Sequence, residues 1–599
     1  MRIIPKNAKV KLQFYKGVTI ADVILAVFAL AMLALAVSSN LQSKWIIAMV
    51  ILVVFAPLFI PIGEIKLYQA LVYGLKYTFS RKKFKKANHG KSNIGNIVSY
   101  SSIENDVIRQ KDGGYTGVIE VKPIEFNMLS EFKQNYFIDG VISNILKNVG
   151  IFQEINIVKL ERPVIFDNYI SNELTKIQEL IEANENKQLS EEEFRARANV
   201  LEDRINIIDK FNSEEKVLSS YYYIVLHDID SKSLKGTLSL IINSLNNNGL
   251  ESKQLTDKEL AKFIKYSYTN DFNERDFDKL QPKDYLSARV PNSVAFKSSR
   301  VIQDDKWLTH FVITDYPLQV PNAWGQDLFD LPNTKVVLKA TPVDKIKAIK
   351  RIDGAINELL SQRDLGKASS QIDKETHLSS LQSTLIGLQN DNETFLDTTL
   401  IITAYDESKQ TANKRFVRRK LKEMGFKFSE LFGRQIDGYL ASSLSKLNKL
   451  NLTRGLNSSA LASSFPFVSN AILDEKGILI GENKLPTFVD FFKRDDERVN
   501  SNMVIIGKSG SGKSFATKTI LTGLASDNSK VFILDPENEY TNLAKNMKGS
   551  VLDVSSSRDG RINPFQIIDS LDDENADGTN NSFYSHLQFL EEFFRLILV

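Results

Sequence analysis

Hydrophobic positions along this chain fall into three styles, and each predicts a different kind of element. Near the N-terminus they form unbroken runs: Val18 to Val37 is twenty residues with one acid, Asp22, and Trp45 to Ile62 is eighteen with no charge. At about 1.5 Å per residue, each run predicts a helix able to cross a hydrocarbon layer of roughly 30 Å. The seven residues Ser38 to Lys44 between them predict a tight transmembrane hairpin. Through the middle, short apolar or alternating runs predict strands at Val107 to Lys111, Tyr115 to Val121, Ile155 to Leu160, Tyr221 to Leu226, Phe311 to Thr314, Lys335 to Leu338 and Leu400 to Ala404. Helical spacing covers Glu131 to Val149, Leu234 to Leu245, Pro342 to Leu360 and Ser369 to Gln389, and Asp112-Gly113-Gly114 supplies a hairpin turn. Asn172 to Lys216 is strongly charged at helical spacing and predicts an exposed helical hairpin with a solvated face.

The third style is a pair of short apolar runs near the C-terminus. Met503 to Ile506 has the composition of a buried strand and leads straight into Gly507-Lys508-Ser509-Gly510-Ser511-Gly512-Lys513-Ser514, after which FATKTILTGLA predicts a helix. This is the G-x-x-x-x-G-K-[ST] spacing with a strand before it and a helix after it. Glycines are needed because successive N–H groups must turn inward around a phosphate with no Cβ in the way, and the helix N-terminus adds partial positive charge. The spacing assigns Lys513 to the β- and γ-phosphates and the Ser514 hydroxyl to Mg²⁺. No N-K-x-D stretch for reading guanine occurs, so the nucleotide expected is ATP. The second run, Val531 to Leu534, ends in Asp535-Pro536-Glu537-Asn538-Glu539-Tyr540. An acid at the end of a strand beside the P-loop faces the γ-phosphate and orients the attacking water; Glu537 is the first candidate and Glu539 the alternative.

Composition narrows the chemistry further. With 599 residues, 43% hydrophobic and 25% charged, the chain is long enough for several packed cores and is not a disordered polymer. It has no cysteine, which excludes a disulfide framework, a thiol nucleophile and thiolate metal sites, and its five histidines stand singly. The net charge of +3 hides an asymmetry: residues 1–91 carry fourteen Lys/Arg against Asp22 and Glu64 alone, and the remainder is net acidic. Basic residues flank the two long apolar runs, from Arg2 to Lys16 and from Arg81 to Lys86, with Lys44 alone between them. The positive-inside rule then places both ends on the cytoplasmic side and sets the RKKFKK run against anionic lipid headgroups. Trp307 and Trp324 lie in no basic-aromatic alternation and are expected to pack rather than to stack on bases.

The P-loop, DPENEY at Asp535 to Tyr540 and Arg561-Ile562-Asn563-Pro564-Phe565 follow one another in order. With the stretches Arg454 to Ser469 and Gly481 to Phe492 upstream, they resemble the conjugation and type IV secretion ATPases of the TraE/TrbE/TraC family, within the HerA/FtsK group of motors. The two apolar runs look like the small two-span PrgI-type subunit of such systems fused in front. The resemblance implies an α/β and α+β multidomain chain: a transmembrane hairpin over residues 1–90, ferredoxin-like or similar α+β scaffold domains over 91–280 and 281–450, and a RecA-like P-loop domain over 451–599. It also implies a motor ATPase of the bacterial cytoplasmic membrane, multi-pass with its bulk in the cytoplasm, using ATP and Mg²⁺. Its expected partners are other secretion-channel subunits, further copies of itself in a hexamer, inner-membrane lipids and, indirectly, a DNA–protein substrate. Two rivals remain: the coupling protein that feeds DNA to the channel, which sets its P-loop soon after the anchor where about 440 residues intervene here, and an ATP-binding scaffold without hydrolysis. Such motors need a Walker B pair on a later strand and a partner arginine, and neither motif occurs between Phe565 and Val599, so the P-loop domain is expected to be incomplete.

Overall fold

The computed structural model describes residues 2–4, 13–15, 18–39, 43–62, 65–86, 94–213, 217–270, 290–317, 319–361, 368–407, 411–444, 448–468, 472–483, 485–494, 498–554, 563–566 and 581–597, with a few isolated positions between them. On the N-terminal apolar runs stand two helices, α1 (Ile20–Ser38) and α2 (Lys44–Phe55), with the Phe28 and Phe55 rings 6.1 Å apart. The second run does not continue as one helix. Pro57 lacks the N–H that the next turn needs, and the chain tightens into a 3-10 turn at Ala56–Phe59. That leaves α2 with 12 residues, about 18 Å at the usual rise. In the first turn of α1, Asp22 is buried and ion-paired to Lys66 at 2.6 Å. Among the described residues no helix is long and apolar enough to cross a membrane. The expected transmembrane hairpin is corrected on that ground, and the expected multi-pass placement in the cytoplasmic membrane goes with it.

The body is built on one antiparallel sheet rather than on separate ferredoxin-like units. Its first strands in chain order are β1 (Lys83–Lys85), β2 (Tyr100–Glu104), β3 (Val107–Gln110), β4 (Tyr115–Val121), β5 (Glu154–Pro163), β6 (Leu218–Asp228) and β7 (Ser252–Gln254). Then come β8 (Ser293–Phe296), β9 (Val301–Gln303), β10 (Lys306–Asp315), β11 (Thr334–Pro342), β12 (Phe395–Asp406), β13 (Lys427–Glu430) and β14 (Arg454–Asn457). Their spatial order is β1-β8-β9-β10-β12-β11-β5-β6-β4-β3-β2, with β7 on β4, β13 on β10 and β14 on β12. The seam lies between β5 and β11, where Ile157 pairs with Leu338, so strands from 91–280 and 281–450 share one ladder.

Strand periodicity explains why the sheet is covered on both faces. Successive side chains point to opposite sides. Ile155, Ile157, Tyr222, Ile224 and Leu226 therefore enter one core, while Val158, Leu160, Tyr223 and Val225 enter another. Helix α3 (Asp167–Glu185) and helix α4 (Glu191–Ser213) form the expected charged hairpin, and α5 (Ser231–Asn246) buries Leu234, Leu238, Ile241 and Leu245. A Cβ at Gly117 of β4 would stand 2.3 Å from Leu238, so glycine is what lets α5 lie this close. Helices α6 (Lys345–Ser361) and α7 (Ala368–Asn390) pair through Ala348, Ile352, Ala355, Leu381 and Leu388.

Covering both faces traps polar groups, and two buried lysines show how partners are found. The Lys159 amine donates to Glu161 at 2.8 Å and to the Leu331 carbonyl at 2.8 Å. Lys335 donates to the Ser267 carbonyl at 2.7 Å, and burial, with Lys339 nearby, pushes its pKa down to about 7.

Candidate nucleotide site

The glycine loop closes directly onto helix α8 (Lys513–Ser526). Gly510 and Gly512 take φ of +74° and +88°, the left-handed region that glycine adopts without strain. At Gly507 an added Cβ would stand 2.5 Å from the Ser511 hydroxyl, filling the inside of the loop. Gly512 caps α8 and offers no side-chain hydrogen bond to the first N–H groups of the helix. Lys513 reaches back across the loop and donates to the Lys508 carbonyl at 3.1 Å. The Ser511 N–H also donates to that carbonyl, at 3.2 Å. A glycine loop, a helix N-terminus and a lysine across the loop form a cradle for a polyphosphate, with Ser514 one residue beyond the lysine.

The acidic turn sits beside this helix. Asp535 accepts from the Tyr540 N–H at 2.8 Å, and backbone hydrogen bonds, that one foremost, hold its carboxyl below the usual range. Lys518 of α8 lies 5.3 Å from the centroid of the Tyr540 ring, a cation–π contact that ties the turn to the P-loop helix. Glu537 and Glu539 on the same turn are exposed. The acidic turn thus touches the P-loop helix at Lys518, five residues beyond Lys513.

The flanking strands are a different matter. Met503 to Ile506 and Val531 to Leu534 join no ladder among the described residues. Val504, Ile506, Phe532 and Leu534 are 81%, 89%, 92% and 98% exposed. The buried strands expected on either side of the P-loop are corrected accordingly: neither run forms a strand or pairs with one among the described residues. Phe565 of the NPF motif is exposed, 5.9 Å from the Phe594 ring, while Arg561 and Ile562 lie outside the described residues.

What seats α8 is the rest of the chain. A hairpin of β15 (Ile478–Asn483) and β16 (Leu485–Val489) lies under it, with Ile478 against Gly523. Asp474 anchors the approach to the loop by accepting from Arg498 at 2.6 and 2.8 Å and from Lys493 at 3.1 Å. Burial alone pushes the Asp474 carboxyl up, but these donors and the Asp490 N–H outweigh it and bring it down to about 2. On the other side, Glu173, Arg197 and Arg204 of the α3–α4 hairpin are buried against the C-terminal end of α8. The sequence reading missed these three. Charge at helical spacing looks the same whether a helix faces water or another helix's end, and only the density of arginine and glutamate in that hairpin hinted at it.

A glycine loop of this spacing, closed on a helix N-terminus with lysine across it, defines a P-loop nucleotide site in class. Residues 477–582 match the family model of the helicase HerA central domain. The chain is 21% identical over 361 residues to an uncharacterized protein of Bacillus anthracis, aligning 57% of this chain with 54% of that one. It is 28% identical over 129 residues to the protein TraC of Escherichia coli K12, covering 21% of this chain and 14% of TraC. The chain thus matches about half the length of one relative and a small part of the other. These similarities support a P-loop ATPase of the conjugation and secretion type. They give no support to a PrgI-type segment fused in front.

Proposed function

We propose that this chain is an ATPase that energises bacterial conjugative transfer, acting in assembly of a type IV secretion channel or in export of its substrate. The observation that carries the reading is the loop geometry, with Gly510 and Gly512 at positive φ opening α8 and Lys513 lying across the loop. The backbone N–H groups from Gly507 to Ser514 hold phosphate oxygens, Lys513 leaves the Lys508 carbonyl for the β- and γ-phosphates, and Ser514 holds Mg²⁺. When bound, Mg²⁺ supplies charge compensation to the transferring phosphoryl group. Glu537, with Glu539 as the alternative, orients the attacking water. In this reading the chain works as a homo-oligomer, a hexamer, as the family resemblance of its motifs implies. Other channel subunits are its partners, and a DNA–protein complex is an indirect substrate.

Exposure of both flanking runs favours a second reading, in which the chain binds ATP as a scaffold and does not turn it over. Without strand pairing on either side of it among the described residues, Glu537 sits on an exposed turn tied to α8 through the Lys518–Tyr540 contact, a loose hold on its distance from the γ-phosphate. Steady-state phosphate release at saturating ATP separates the two. The motor reading expects turnover that Glu537→Gln lowers by about 10²- to 10⁴-fold with binding retained. Equal rates in wild type and Glu537→Gln would remove Glu537 from the role and pass the test to Glu539→Gln. Binding without phosphate release by the wild type would establish the scaffold.

A further inference from the structure

The charged helical hairpin grips the far end of the P-loop helix. Arg204 of α4 is buried, and its guanidinium donates to the Gly523 carbonyl at 3.1 Å, to the Ser526 hydroxyl and to Asp527 at 3.1 Å. Glu173 of α3, also buried, accepts from the same guanidinium at 3.1 Å. Lys176 bridges Glu173 and Asp527, each at 2.9 Å, and Arg197 donates to the Ser526 carbonyl at 3.4 Å. The Gly523 and Ser526 acceptors lie in the last turn of α8 and Asp527 caps it, at the end where the helix dipole is negative. Across the helix, a Cβ at Gly523 would stand 2.4 Å from Ile478, so α8 is wedged between β15 and the hairpin.

A buried ionic cluster of this kind is a weak source of net stability, because desolvation offsets most of the attraction; its strength is in fixing register. Apolar packing would let α8 slide, whereas a forked guanidinium on named acceptors admits one seating. The helix has 14 residues and begins with Lys513 and Ser514, and at about 1.5 Å per residue it is a rod of roughly 21 Å. A shift at Gly523 is therefore a shift of the phosphate-binding N–H groups at the other end.

We propose that Arg204 is a positioning residue for the nucleotide site, seating α8 through its C-terminal turn and coupling occupancy of Gly507–Ser514 to the α3–α4 hairpin. The proposal rests on the nucleotide reading above. Coupling is reciprocal: whatever Arg204 contributes to ATP affinity, ATP must contribute to the order of the hairpin.

The experiment uses the full chain. Mg-ATP is titrated calorimetrically into wild type, Arg204→Ala, Arg204→Lys and Lys513→Ala, and amide hydrogen exchange across residues 167–213 is followed with and without ATP. Arg204→Ala is expected to weaken ATP by about tenfold, with Arg204→Lys recovering part of the loss because it keeps the cation but not the fork. In the wild type ATP slows exchange around Arg197 and Arg204, and in Arg204→Ala and Lys513→Ala it does not. Wild-type affinity in Arg204→Ala with the ATP-induced protection intact overturns the coupling and leaves the nucleotide site standing. Failure of the wild type to bind ATP overturns both. Should Arg204→Ala not fold, exchange in the wild type decides, since a hairpin unmoved by saturating ATP contradicts the proposal.

Discussion

Strand β12 carries the apolar run Leu400 to Ile402 and ends in Asp406, and the apolar run Val531 to Leu534 leads into Asp535, yet the two meet opposite fates. On β12, Leu400, Ile401 and Ile402 are fully buried, with β10 and β11 on its edges, β14 extending the pairing and cores on both faces. In the second segment Phe532 and Leu534 stand almost wholly in solvent. Hydrophobicity makes a strand possible; neighbours on its edges make it one. The centre of the sheet body is thus paired on both edges and packed on both faces. The P-loop region holds its phosphate cradle through a helix seated on other elements, with its own strands unsatisfied.

That contrast can be broken where it is strongest. Leu226→Ala on β6 empties a fully buried site and is expected to cost about 2 to 5 kcal/mol, read as a lowered urea midpoint. A loss within experimental error would mean that the body is loosely packed and the contrast false. A smaller effect sharpens it through Lys335, whose amine is ordinarily near 10.5 and is brought down to about 7 by burial, with Lys339 adding to it. Between these two values the unfolded chain binds more protons than the folded one, so this group makes stability rise as pH climbs from 7 towards 10.5. Lys335→Met should flatten that rise in midpoints measured at several values across the window, and an unchanged slope would show that Lys335 is not the group titrating. The smallest effect is expected at Leu534→Ala, within about 0.5 kcal/mol, since an exposed side chain leaves no cavity. A loss as large as that of Leu226→Ala would show that the segment is buried in solution.

Much of the body was legible because its elements are locally determined. The hairpin of β3 and β4 forms around Gly113 at φ +90°, where the Asp-Gly-Gly turn was expected. The run Ile155 to Leu160 lies within β5 and the run Leu400 to Ala404 within β12. The helix expected over Glu131 to Val149 runs from Glu131 to Lys147 and passes through a π-helical turn at Tyr136–Ile142, a register change that periodicity does not reveal. Trp324 packs against Tyr316 and Phe426 and donates to the Ser463 hydroxyl at 3.0 Å. Partner choice was not legible. Nothing in Ile157 or Leu338 says that they pair across 181 positions. Nor does the composition of Asn172 to Lys216 say that Arg204 meets a helix end rather than water. At the site, the glycine spacing was readable because it reports backbone geometry at single positions; the seating of α8 was not, because residues more than 300 positions away supply one side of it.

The most direct measurement is the binding of Mg-ATP to the full chain and to Lys513→Ala by titration calorimetry. The wild type is expected to bind with saturation at one site, and Lys513→Ala to lose about tenfold or more in affinity, since the phosphates lose a charge-assisted donor. Equal affinity in the two, or no binding by the wild type, would contradict the assignment of Gly507 to Ser514 as the nucleotide site.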